Sequence, residues 1–150
     1  MGRARPATKS PNATASGAAF ASLAHDCPDL AEWPQRWHAE ARDLAPGRQI
    51  VAALEPFLLH LLTTGLSRKT LRIHRDNLWL LGGEIIRRLH DEPALRRCSA
   101  TTLLNRFVEP DGGPLIYPNF SETQQNSFDA TCRKLHAFLS KTSDAKKRRS

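Results

Sequence analysis

Leu71, His74, Leu78, Leu81, Ile85 and Leu89 recur three and four residues apart, so they share one stripe of a single long helix. Ser67 stands where a helix starting at Arg68 needs its cap, and Gly65 where the preceding helix would end. Pro93 forces a break shortly after His90. A helix over 68–90 with one apolar stripe must bury it against other elements, and the remainder of the chain offers only helices for the purpose.

The spacing predicts a first helix from about Asp29 to Leu44, with Leu30, Trp33 and Trp37 on its apolar side and Ala45-Pro46-Gly47 ending it. A second, from about Arg48 to Thr63, places Ile50, Leu54, Phe57, Leu58 and Leu61 on one face, with Pro56 kinking or restarting it. A short helix covers Thr101 to Val108, Glu109 to Pro114 is a loop, and a closing helix capped by Ser121 runs from Glu122 to Leu139. Gly82-Gly83 either costs the long helix about 1 kcal/mol per glycine or admits a close neighbour. No convincing alternating pattern for a strand occurs. The expectation is an all-α bundle of four or five helices over 25–140, with a disordered leader at 1–24 and a basic tail at 141–150.

A formal charge of +7 suits a polyanion partner, yet the tails carry it. Residues 1–10 contribute +3 and residues 141–150 contribute +4, so the body nets to zero. Inside the body the signs are segregated: 68–97 is +4 and 26–55 is −3. One half is then suited to a polyanion while the other faces solvent or a partner; an ordinary mixed-charge surface is the plain alternative. Cys27, Cys98 and Cys132 are widely spaced and form no C-x-x-C pair, which fits a reducing, cytoplasmic compartment. No apolar run is long enough to span a bilayer.

The pattern holds no catalytic constellation. Six histidines show neither H-x-x-x-H nor H-E-x-x-H spacing, so no metal or other cofactor is expected. His60 and His74 read as helix-packing residues. Gly112-Gly113 leads into Pro114, which rules out a phosphate-cradling loop there. What remains is Arg68, Arg72 and Arg75 at i, i+4, i+7, with Lys69 beside them and Trp79 one turn on. Such a stripe suits a phosphate backbone; its ordinary alternative is a solvated face paired to Asp76 and Glu84.

The segment Phe57-Leu-Leu-His-Leu-Leu-Thr-Thr-Gly65, followed by Leu66-Ser67-Arg-Lys-Thr70 opening a long helix, resembles the N-terminal core-binding (SAM-like) domain of tyrosine recombinases and phage integrases. The likeness covers 47–140, taking in the short helix from Thr101 and the closing helix from Ser121. It implies a small helical clamp on duplex DNA, with Ser67, Arg68, Lys69, Thr70, Arg72 and Arg75 approaching backbone and groove. His74 stands where that family usually has tyrosine, and Gly82-Gly83 where it has larger side chains. The family's catalytic arginine, lysine, His-x-x-Arg pair and tyrosine nucleophile have no counterpart here. The resemblance therefore implies a DNA-binding module without strand cleavage, or a truncated integrase remnant. The alternative is a protein-interaction domain, or a homo-oligomer, with Trp33, Trp37 and the acidic segment marking the partner surface.

Overall fold

Ser67 and Gly65 organise the central hairpin of the fold. The computed structural model describes residues 22–149, with side chains to 143. Five α-helices order them: α1 (Trp33–Trp37), α2 (Leu44–Leu62), α3 (Arg68–Asp91), α4 (Ala100–Phe107) and α5 (Glu122–Arg149). A helical turn at 22–26 precedes them, and 3-10 turns occupy Leu30–Glu32, Ala41–Asp43 and Pro93–Arg97. Among the described residues, the only β pairing is an isolated bridge between Glu109 and Gly112. The chain is the small all-α domain that its periodicity predicts.

Between α2 and α3 the chain reverses within five residues. Thr63 and Thr64 donate their hydroxyls back to the His60 and Leu61 carbonyls at 2.7 and 2.8 Å. Gly65 follows in the left-handed region at φ +75°, where a side chain would be strained. Ser67 Oγ then accepts the Thr70 backbone N–H at 3.2 Å and starts α3. The same device recurs at Ser99 with Thr102, and Ser121 with Gln124 forms a full reciprocal capping box at α5.

The predicted apolar faces form the core. Ile50, Leu54, Phe57, Leu58 and Leu61 of α2 are buried, as are His74, Leu78, Leu81, Ile85 and Leu89 of α3, while Leu71 is half-buried. Phe128, Cys132 and Leu135 of α5 close over them, each fully buried. Burying an aliphatic or aromatic side chain of this size contributes about 1.5–3 kcal/mol, so these faces dominate the fold's stability.

Four expectations are corrected. The helix over 29–44 does not form as one piece: after Trp37 the backbone goes extended at His38. The reason is Asp43, whose carboxylate turns back to accept the Ala39 and Glu40 N–H groups at 2.9 and 3.0 Å. Ala45-Pro46-Gly47 does not end a helix either; it forms the first turn of α2, where proline's missing N–H has no intrahelical partner to lose. α2 then runs without restart through Pro56, whose side is exposed. Finally, the boundaries move outward at both ends. Leu23 of the 22–26 turn is part of the core, and α5 continues as helix through Arg149, across the expected tail. The remaining leader residues, 1–21, lie outside the described residues.

Candidate nucleic-acid interface

α3 and α5 are antiparallel neighbours joined by a buried polar seam. His74 Nδ1 is 2.7 Å from Thr131 Oγ1, and Asn77 Nδ2 donates to Thr131 Oγ1 at 2.9 Å and to Ser127 Oγ at 3.2 Å. Further along α5, the Phe138 ring packs against Phe57 and His60 near the end of α2, with centroids 5.5 and 5.1 Å apart. The start of α3, the end of α2 and the later turns of α5 therefore share one end of the bundle. From Ser140 to Ser143 every residue of α5 is exposed, so the helix has left the bundle there. It continues past Phe138 for about 16 Å, at 1.5 Å per residue. In sequence this last stretch of α5 carries Lys141, Lys146, Lys147, Arg148 and Arg149.

The residues singled out from the sequence all lie at this end, but in different states. Ser67 and Thr70 cap α3: beyond the N–H bond, the Ser67 hydroxyl donates to Thr70 Oγ1 at 3.0 Å. Lys69 and Arg72 are exposed and have no ion pair among the described residues. Arg68 is exposed and reaches Asp26 Oδ1 at a long 3.4 Å. Arg75 is half-buried and engaged: it donates to Asp76 Oδ1 at 2.9 and 3.2 Å and to the Asp26 carbonyl at 3.2 Å. Burial disfavours its charge, but the Asp76 bond and charge outweigh that and raise its pKa.

Arg96, in the 3-10 turn after α3, is also engaged. Arg96 donates to Asp43 Oδ1 at 2.8 Å, inside a cluster that also holds His90 Nε2 at 2.9 Å from Asp43 Oδ2. Burial pushes the Asp43 carboxyl up, but hydrogen bonds from Arg96, Ala39, His90 and Glu40 more than offset it. The carboxyl is held well below the usual range. The acidic segment is thus not a face turned away from the basic one: Asp26 meets Arg68 and Asp43 meets Arg96. The segregated charges fold against each other.

Trp33 and Trp37 also differ from expectation. Trp33 is 1% exposed, and Trp37 seats its indole on Gly82 while donating Nε1–H to the Trp79 carbonyl at 3.0 Å. Both are engaged within the fold, Trp33 fully buried and Trp37 half-buried. The close approach that Gly82-Gly83 admits is that of this indole. His74 is buried as a helix-packing residue should be, whereas His60 is exposed and only touches the Phe138 ring. The sequence reading missed Asp26 and Asp43 as partners of the arginines. Their only sequence signal was the opposite charge of the two segments.

No protein-family model, curated protein or solved structure matches this chain. Among the described residues, no helix is long and apolar enough to cross a membrane.

Proposed function

We propose that this chain is a non-catalytic module that binds duplex DNA through the end of the bundle where α3 begins and α5 projects. One observation carries the reading: Arg68, Lys69 and Arg72 open α3 at the end from which α5 leaves the bundle towards its run of basic residues. Two neighbouring positive elements on a rigid scaffold suit a phosphate backbone, and they supply affinity with little sequence preference. Ser67 and Thr70 contribute by fixing the start of α3. Arg75 leaves the contact set because Asp26 and Asp76 hold it. The likeness to a recombinase core-binding domain rests on the Gly65–Thr70 turn and the helix order, in a cytoplasmic protein with three free thiols.

A second reading, a protein-interaction domain, is favoured by the pairing of Arg68, Arg75 and Arg96 with carboxylates. Duplex binding across a salt series separates the two. The comparison is wild type, Lys69→Gln/Arg72→Gln, and Lys146→Gln/Lys147→Gln/Arg148→Gln/Arg149→Gln. Each lost phosphate contact flattens the slope of log affinity against log salt by about 0.9. Flattening by both variants supports the module. Loss of binding with the α5 variant alone, and no effect at Lys69 and Arg72, returns α3 to ordinary surface.

A further inference from the structure

A cavity of about 270 Å³ opens between the 22–28 segment, the end of α2 and the start of α3. Its apolar lining comes from Leu58, Leu61, Leu62 and Leu71 of the two helices and from Leu23, Cys27 and Pro28. Arg68, Arg72 and Arg75 line it together with His25, and Asp26 is the one carboxylate in the lining. Even with Asp76 counted against Arg75, cations outnumber anions, and Arg72 has no ion-pair partner among the described residues.

Each half of this lining rejects a different ligand. A phosphate or another small hydrated anion satisfies the guanidiniums but leaves the leucines uncovered. A neutral apolar molecule covers the leucines but makes no use of the guanidiniums beside them. A molecule with both an anionic head and a short aliphatic tail satisfies both, in the usual manner of pockets that combine an apolar wall with a few placed polar groups. Size sets the tail: at roughly 30 Å³ per water-sized group, the space takes about nine heavy atoms, the scale of a six- to eight-carbon carboxylate. The Arg68–Asp26 contact, long at 3.4 Å and at an exposed guanidinium, is one an incoming carboxylate can replace.

We infer that this cavity binds a small aliphatic carboxylate, its head on Arg72 and Arg68 and its tail over Leu58, Leu61, Leu62 and Leu71. This inference stands independently of DNA binding, since it needs only the cavity and its lining.

Calorimetric titration of the full chain with octanoate, octanol and acetate tests it. Octanoate is expected to bind at one site, at least tenfold tighter than either control. Arg72→Glu is expected to weaken octanoate at least tenfold, whereas Arg48→Glu, at another exposed arginine outside the cavity, leaves it unchanged. Leu62→Gln, at a half-buried lining residue, is expected to weaken octanoate while leaving the thermal midpoint close to wild type. No octanoate binding, equal binding of octanol or acetate, or equal losses in Arg72→Glu and Arg48→Glu would each overturn the proposal. Capture by phosphatidylglycerol vesicles without binding of free octanoate would overturn it too, in favour of a membrane surface.

Discussion

The indole of Trp37 occupies the space above Gly82 so fully that a β-carbon there would lie under 3.0 Å from three of its ring atoms. The contact joins residues 45 positions apart and is held by the Trp37 Nε1–H bond to the Trp79 carbonyl. Helix propensity alone favours alanine over glycine at this position by about 1 kcal/mol. Overpacking costs about 1–3 kcal/mol and here works against it. Gly82→Ala is therefore expected to lower the urea midpoint by the equivalent of up to about 2 kcal/mol and to shift tryptophan emission towards that of exposed indole. At Gly83 a β-carbon would stand 3.2 Å from the nearest indole atom, so Gly83→Ala should stay within about 0.5 kcal/mol of wild type. Equal effects at the two glycines would show that the indole does not discriminate between them.

Asp43 fixes the chain between α1 and α2 to the end of α3 through Arg96 and His90. Removing one partner of a buried ion pair typically costs about 3–5 kcal/mol, so Asp43→Ala should be among the most destabilising single changes in the molecule. The folded pKa of Asp43 is depressed, so its contribution is whole above about pH 4 and is lost as the pH falls below that. Denaturation curves between pH 5 and 2.5 should show a shallower acid loss for Asp43→Asn than for wild type.

His74 carries the opposite kind of dependence. Burial, and then the charge of Lys134, lower its pKa, so the folded protein keeps it neutral where an unfolded chain would protonate it. The unfolded state then binds more protons below about pH 6.5, and stability falls as the pH drops from there. One such proton limits the slope to about 1.4 kcal/mol per pH unit. Stability measured from pH 7.5 to 5 should be less pH-dependent in His74→Gln, and an unchanged slope would remove His74 from the account.

Arg72 and Arg75 sit on one stripe of α3, yet their substitution should have separable effects. Arg75→Ala removes bonds to Asp76 and to the Asp26 carbonyl, and should cost about 1 kcal/mol of stability with no change in the salt slope of duplex binding. Arg72→Ala should leave the thermal midpoint alone and reduce that slope by about one. The reverse assignment would place the DNA contacts on the wrong arginine.

Burial pushes the Cys27 and Cys132 thiols up to about 12, and Cys98 is the more exposed of the three. An aromatic disulfide reagent at pH 7.5 should modify one thiol rapidly in the native protein and three in denaturant.

What was legible in the sequence is what local rules govern. The apolar stripe of α3, the reversal at Gly65 and the caps Ser67 and Ser121 depend on neighbours within a turn or two, and all are found where spacing puts them. The predicted helix at 29–44 failed because Asp43 offers the backbone a better acceptor than helix continuation, and His90 and Arg96 hold it in place. Gly47, read as a terminator, is instead a contact: a β-carbon there would stand 3.0 Å from Pro34, so α1 packs directly on the first turn of α2.

The candidate site divides the same way. A positively charged start to α3 and its Ser67–Thr70 cap are readable along the chain, because both lie within one turn. Which arginines remain available depends on the packing of the helices. Asp26 lies 42 and 49 residues from Arg68 and Arg75, and Asp43 lies 53 from Arg96, so their pairing is fixed by how the helices pack. Charge acts through space, and a sequence orders residues only along the chain; the fold brings those carboxylates to their arginines and leaves Lys69 and Arg72 facing outward.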